Sequence, residues 1–298
     1  RDDGNMRFDS YHPAINLIYF TAAIGLTIWF DHPVYLAISY LCAFVWSVRL
    51  KGKKALIFNF FIIPFAMIYA FWYAYYNHFG VTPLKQNIVG NQITLEALMY
   101  GLRIGFTAAA VIMLFSCVFA VVSSDKIVYL FGRISPKLSL FLSIMLRTVP
   151  RIKEYGRRVN RAQMGIGKSP SQGSLPRRCI NGLRMISILI TWFTENFVES
   201  AMSMKCRGYS LKGRTAFSIY RFDNRDRAFV TGMFALLTVV MIGWILDQTH
   251  IYYDPVMIFP PLTVMSHVFF TAYGAFMLMP LISQTIGERR FEAARNNI

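Results

Sequence analysis

Charge is scarce in this sequence, and acidic charge scarcer still. Only 15% of the 298 residues are charged, and Asp and Glu together number 15. A soluble protein carries about a quarter charged residues, so an ordinary soluble enzyme is excluded. Cysteine is sparse too: Cys42 and Cys117 sit in apolar blocks, Cys179 and Cys206 in a basic segment. With no CxxC and no Cys/His ligand spacing, neither a disulfide framework nor a zinc site is indicated, and free thiols are expected. The histidines at 12, 32, 78, 250 and 267 show neither HxxxH nor HExxH spacing, which leaves metal chemistry without ligands. No Asp, Glu or Lys falls inside an apolar block, so an ion or proton relay has nothing to run on. No cofactor and no metal is expected. A cleavable signal peptide is not expected either, because no basic stretch or cleavage site frames the first apolar block.

What is abundant is apolar sequence in long blocks. Hydrophobic residues make up 55% of the chain and aromatics 16%. Six candidate spans are read at residues 14–30, 33–48, 55–76, 97–122, 228–246 and 264–282. Blocks of this size suit a bilayer core of about 30 Å, which takes roughly 20 helical residues. The fold class is therefore an all-α, polytopic helical membrane protein of about six spans. Lys and Arg number 31, for a net charge of +16. They concentrate between Ser123 and Arg227, where 20 basic residues face 6 acidic ones. Such an excess marks the cytoplasmic side and a surface suited to lipid headgroups or an acidic protein; nucleic acid is not expected. Placing Arg49–Lys54, the basic segment and the Arg-containing tail inside puts both termini in the cytoplasm. Three regions follow: a membrane part at 1–122, a cytoplasmic region at 123–227, and a second membrane part at 228–298.

The middle region is not a polar tail. In 142–165, Met145, Val149, Ile152 and Val159 recur at helical spacing, while Arg147, Arg151, Arg158 and Arg161 form a basic ridge. That pattern is an amphipathic helix. A Ser-, Pro- and Gly-rich linker at 168–176 ends it, and a second long helix is read from Arg177 to Arg207, stopped by Gly208 as a C′ residue. These two helices have the look of a docking device.

Three motifs carry possible chemistry. Gly165-Ile166-Gly167-Lys168-Ser169 resembles the end of a phosphate-binding loop, but the first Gly of that motif is replaced by Ala162 and a helix, not a strand, precedes it. Gly165 and Gly167 are better read as a helix end. Asp223 and Asp226 stand at the spacing that holds Mg²⁺ against a diphosphate, giving the alternative of a membrane-embedded, Mg-dependent prenyl or lipid-transfer enzyme. Alternation with Arg221, Arg225 and Arg227 favours a solvated, self-neutralised juxtamembrane turn instead. Arg103 is the one charged residue inside a candidate span. There an unpaired guanidinium costs about 2.5–3.5 kcal/mol on insertion scales, so a structural, internally paired role competes with a substrate contact.

The segment Ala201-Met202-Ser203-Met204-Lys205-Cys206-Arg207-Gly208-Tyr209 resembles the Ala-Met-x-x-Arg/Lys-Ala-Arg-Gly-Tyr signature of the transmembrane (T) component of energy-coupling factor (ECF) transporters. His12-Pro13, Ser123-Ser124-Asp125 and the Arg-rich stretch from Ile134 to Gln163 resemble further segments of that family in order. The resemblance implies a membrane scaffold of a prokaryotic plasma-membrane importer for vitamins or transition metals. It implies no catalysis by this chain. Two ATP-binding cassette ATPases would dock on two helix ends of the form small-Arg-small, and a membrane S component would bind the substrate. Cys206-Arg207-Gly208 matches the second end. At the first, Gly165-Ile166-Gly167 places Ile166 where the family has Arg; Arg161 or Lys168 is a nearby substitute, or the contact there is apolar. Unequal ends imply two homologous ATPases rather than two copies of one.

Overall fold

A computed structural model describes residues 8–86, 92–209, 211, 220 and 222–296. After a short 3₁₀ turn at Phe8–Ser10 come α1 (Pro13–Trp29), α2 (Pro33–Lys51) and α3 (Lys53–Tyr76). A two-stranded antiparallel hairpin, β1 (Pro83–Gln86) with β2 (Gln92–Thr94), leads into α4 (Leu95–Val121). Then follow α5 (Ser124–Ile134), α6 (Pro136–Gly165), α7 (Leu175–Cys206), α8 (Asn224–Ile245) and α9 (Val264–Asn296). The helices fall into two compact units: α1–α4 with α8 and α9, and α5–α7.

The chain is an all-α polytopic membrane protein. Among the described residues five helices (α2, α3, α4, α8 and α9) are long and apolar enough to cross a membrane. Six spans were expected; the sixth, α1, is equally apolar but only 17 residues long. Among the described residues the middle region holds three helices rather than the expected two, since a short α5 ends at Ile134 before α6 starts at Pro136. The last helix runs to Asn296, well past the expected 282.

The first two helices start the same way. His12 and His32 each accept the backbone N–H two residues on through Nδ1, at 3.3 and 3.2 Å, with a proline in the first turn. Proline lacks only an N–H that the first turn leaves unpaired anyway. His32 is buried, and burial pushes its imidazole below the ordinary value of 6.5, consistent with a neutral ring whose Nδ1 is an acceptor.

Two kinds of packing hold the membrane unit. On one side large rings interlock: Phe20 stacks on Trp46 at 5.1 Å, and Tyr19, Phe8 and Phe229 meet around them. The buried Tyr19 hydroxyl donates to the Met277 carbonyl at 3.0 Å, tying α1 to α9. The Ser39 and Tyr273 hydroxyls lie 2.5 Å apart, binding α2 to α9. On the other side α3 meets α4 through small residues. Its buried positions are Ala55, Asn59, Ala66, Ala70 and Ala74, and Gly101 and Gly105 of α4 lie directly against the backbone of Ala70 and Ala66. Without a hydrophobic drive in lipid, such close backbone approach supplies the dispersion energy of association. The large rings of α3, Phe61, Phe65 and Phe71 among them, point outward and are exposed.

In the second unit, α6 and α7 meet near their middles. Tyr155 stacks on Trp192 at 4.1 Å and 11°, and Gly156 lets Leu189 and Met185 approach. Ser169 ties the intervening loop down by donating to Asn160 at 2.8 Å, while Asn181 donates to its carbonyl at 3.3 Å. No residue of α7 is buried. Ile180, Leu183, Ile186 and Ile190, all exposed, line one face of it at helical spacing.

Candidate functional site

The two expected docking ends have one backbone geometry. At the end of α7, the N–H of Gly208 donates to the Lys205 carbonyl at 3.0 Å and that of Tyr209 to the Met204 carbonyl at 3.1 Å. At the end of α6, the N–H of Gly167 donates to Met164 at 3.2 Å and that of Lys168 to Gln163 at 2.9 Å. Both are Schellman turns, in which a residue of positive φ bends the chain back over the last carbonyls. Gly208 at +74° and Gly167 at +73° supply that φ, which costs a side-chain-bearing residue about 1–2 kcal/mol.

In this register Cys206 pairs with Gly165, Arg207 with Ile166, and Gly208 with Gly167. Arg207 and Ile166 are the cap residues of their turns. Arg207 is exposed, and Ile166 is 63% exposed. Cys206 is an exposed free thiol. Arg161 is exposed one turn before the first cap. The Lys168-Ser169 pair is absorbed in the turn: Lys168 supplies a closing N–H, and the Ser169 hydroxyl is spent on Asn160. No strand precedes it, so the phosphate-loop likeness ends there.

Arg103 is paired within the chain. Its guanidinium donates to Asp31 in the α1–α2 link and lies over the Tyr100 ring at 5.6 Å. His250 Nδ1 stands 3.6 Å from the other Asp31 oxygen, and its Nε2 accepts from the Trp244 indole at 3.1 Å. The Tyr253 hydroxyl donates to the Asp31 carbonyl at 3.2 Å; burial pushes that phenol up, which keeps it a donor. This knot joins α4, the α1–α2 link and the α8–α9 loop. The substrate-contact reading of Arg103 loses its free guanidinium. The pairing is not legible in the sequence, because nothing local connects Asp31 to a residue 72 positions away.

Asp223 and Asp226 also have structural work. Asp223 is the N-cap of α8, accepting from the Asn224 N–H at 2.9 Å and from the backbone three residues into the helix. Asp226 reaches back to the Asp223 N–H at 3.3 Å and is 3% exposed. The two carboxylates form a capping box rather than a shared face for a cation. Among the described residues no group of three or more His, Cys, Asp or Glu could hold a metal ion. The enzyme alternative that rested on this pair is not favoured.

Apolar spans of this length define a polytopic membrane protein, and the helices of its second unit present exposed ends. Comparison with known proteins narrows the class. The sequence is 33% identical over 111 residues to the energy-coupling factor transporter transmembrane protein EcfT of Brevibacillus brevis, covering 36% of this chain and 40% of the relative. It is 33% identical over 109 residues to the EcfT of Bacillus selenitireducens, covering 35% and 40%. The chain thus matches about two fifths of the length of these curated relatives. No protein-family model matches it. Both relatives are transmembrane proteins of energy-coupling factor transporters, the family whose motifs the sequence resembles.

Proposed function

We propose that the chain is the membrane scaffold of an ECF-type importer for a micronutrient, a vitamin or a transition metal. Its ends of α6 and α7 would seat two ATPase subunits in the cytoplasm of a prokaryotic cell, and a membrane S component would carry the substrate. The region 123–227 would be the coupling region between the membrane parts 1–122 and 228–298, with both termini cytoplasmic. ATP hydrolysis would belong to the partners, and this chain would need no cofactor.

The observation that carries this reading is the pair of matching helix ends with outward-facing cap side chains. Closure of an ATPase dimer would draw the docked ends together. Because α6 and α7 touch near their middles through Tyr155 and Trp192, they would act as crossed levers, and movement at the ends would tilt whatever rests on them. The exposed apolar face of α7 is suited to such a membrane partner. Arg207 in one cap and Ile166 in the other support two different ATPases, one recognising a cation and one an apolar side chain.

The test is co-purification from the native membrane with Arg207→Ala at normal expression. ATPase recovery and uptake should both fall while the membrane part stays folded. Undiminished uptake would remove Arg207 from the docking role.

A further inference from the structure

α1 and α8 stand side by side without closing on each other. A groove of about 360 Å³ runs between them, lined by Ala22, Gly25 and Trp29 on one side and Leu237, Met241 and Trp244 on the other. Its walls are apolar throughout. Gly25 leaves it open, since a Cβ there would meet nothing within 4 Å. At one end Trp29 and Trp244 meet edge to face at 6.1 Å. Trp244 is shared with a second pocket, about 510 Å³, that also takes in Ile245, Asp247 and His250. The apolar groove and this more polar pocket thus lie against the same indole.

The second pocket carries negative charge. Asp247 is exposed and holds a left-handed φ of 55°. Its N–H donates to the Trp244 carbonyl at 3.0 Å, fixing it there. Asp31, the other carboxylate nearby, is taken up by Arg103, and His250 has its Nε2 occupied by Trp244. Among the described residues Asp247 makes no ion pair. An occupant must therefore combine a hydrocarbon chain with a cationic head. Within a bilayer, that is a phospholipid whose headgroup ends in an ammonium. Tryptophan pairs also settle at the depth where chain meets headgroup.

We propose that the α1–α8 groove is a binding site for an aminophospholipid, with one acyl chain between Gly25 and Met241 and the ammonium at Asp247. Apolar contact supplies most of the affinity, because an exposed ion pair adds little. The carboxylate supplies the choice of headgroup, since a phosphoglycerol lipid brings net negative charge to the same place. The proposal is independent of the transport reading.

The test uses the full chain purified in mild detergent and offered equal amounts of dioleoyl phosphatidylethanolamine and dioleoyl phosphatidylglycerol, with retained lipid counted by native mass spectrometry. The wild-type chain should retain the ethanolamine lipid preferentially. Gly25→Leu should lower its retention about tenfold by filling the groove. Asp247→Asn keeps a residue that tolerates left-handed backbone, and should reduce the preference about three- to fivefold while total lipid stays the same. A second readout needs no variant: brominated-chain phosphatidylethanolamine should quench tryptophan emission more than the brominated phosphatidylglycerol. Equal retention and equal quenching by the two lipids would overturn the headgroup assignment. Unchanged retention in a folded Gly25→Leu chain would overturn the site, as would a groove found filled by a partner's helix.

Discussion

Ile166 and Arg207 hold the same position in the same turn, one at the end of each long helix of the second unit. The two N–H bonds that close each turn come from the residues following them, Gly167 and Lys168 in one case, Gly208 and Tyr209 in the other. Neither cap side chain is needed to make its turn. What distinguishes the two ends is therefore what they offer a partner: an aliphatic surface or a guanidinium fork.

Exchanging them should exchange partners. Arg207→Ala is expected to weaken one ATPase contact by about 1.5–3 kcal/mol, roughly tenfold to a hundredfold, if charged hydrogen bonds are lost in a groove. The double exchange Ile166→Arg with Arg207→Ile should leave helicity unchanged and swap which ATPase each end retains. Cross-linking from cysteines placed beside each cap would report the swap; unaltered cross-links would show that the caps do not choose.

Gly208→Ala should fray the end of α7. Its φ of +74° is strained for any side chain, and a Cβ would come within 3.0 Å of Leu211. A local loss of about 1–2 kcal/mol should appear as faster amide exchange at Gly208 and Tyr209, with the α6 turn unaffected.

Gly105→Ala should be worse for the fold than an ordinary helix-stabilising change. A Cβ at 105 would stand 2.7 Å from the Ala66 carbonyl oxygen, and one at 101 would stand 2.8 Å from that of Ala70. Neither backbone can yield alone, so α3 and α4 must part. The expected loss is about 1–3 kcal/mol, read as a lower melting temperature in detergent.

The Asp31–Arg103 pair should behave non-additively. Either partner alone leaves a charge poorly solvated, so Asp31→Asn and Arg103→Met should each destabilise the chain. The double variant should lose less than the sum, with a coupling of about 0.5–3 kcal/mol. Additive losses in a thermal-unfolding cycle would contradict the pairing.

His32 gives the membrane unit a pH dependence of defined sign. Its pKa lies below the ordinary 6.5 in the folded chain, so the unfolded chain takes up the proton first as pH falls. Stability from this group is complete above about 6.5 and is lost as pH drops from there through the folded value. His32→Asn keeps an N-cap oxygen without a titrating ring. It should flatten the wild-type decline between about pH 7 and about pH 5 in unfolding measurements.

The elements that were legible in the sequence are those whose signal is local. Apolar blocks announced the long spans, and Gly208 after a helical pattern announced the end of α7. The α3–α4 seam was not visible, because Ala66 and Gly105 read as filler until two helices are laid together. The short α5 went unread because its 11 residues carry too few turns for a helical period to stand out. The spacing of Asp223 and Asp226 is ambiguous for a physical reason: what lets two carboxylates share a cation also lets one cap a helix and the other reach back. The partner of Arg103 lay beyond any window, since only the fold brings the α1–α2 link to the third turn of α4.

One consequence comes from the length of α1. At 17 residues and 1.5 Å per residue it is about 26 Å long, against a hydrocarbon core of about 30 Å. Its longer neighbours α2 and α9 are pinned to it by Tyr19 and the surrounding rings, so it cannot shift along the normal to hide the shortfall. A bilayer crossed by α1 would have to thin by a few ångströms beside it, or be met by flanking side chains that reach out to the interface. A lipid resting against α1 would then be selected by the length of its acyl chains, the shorter ones matching a 17-residue helix better than the longer ones.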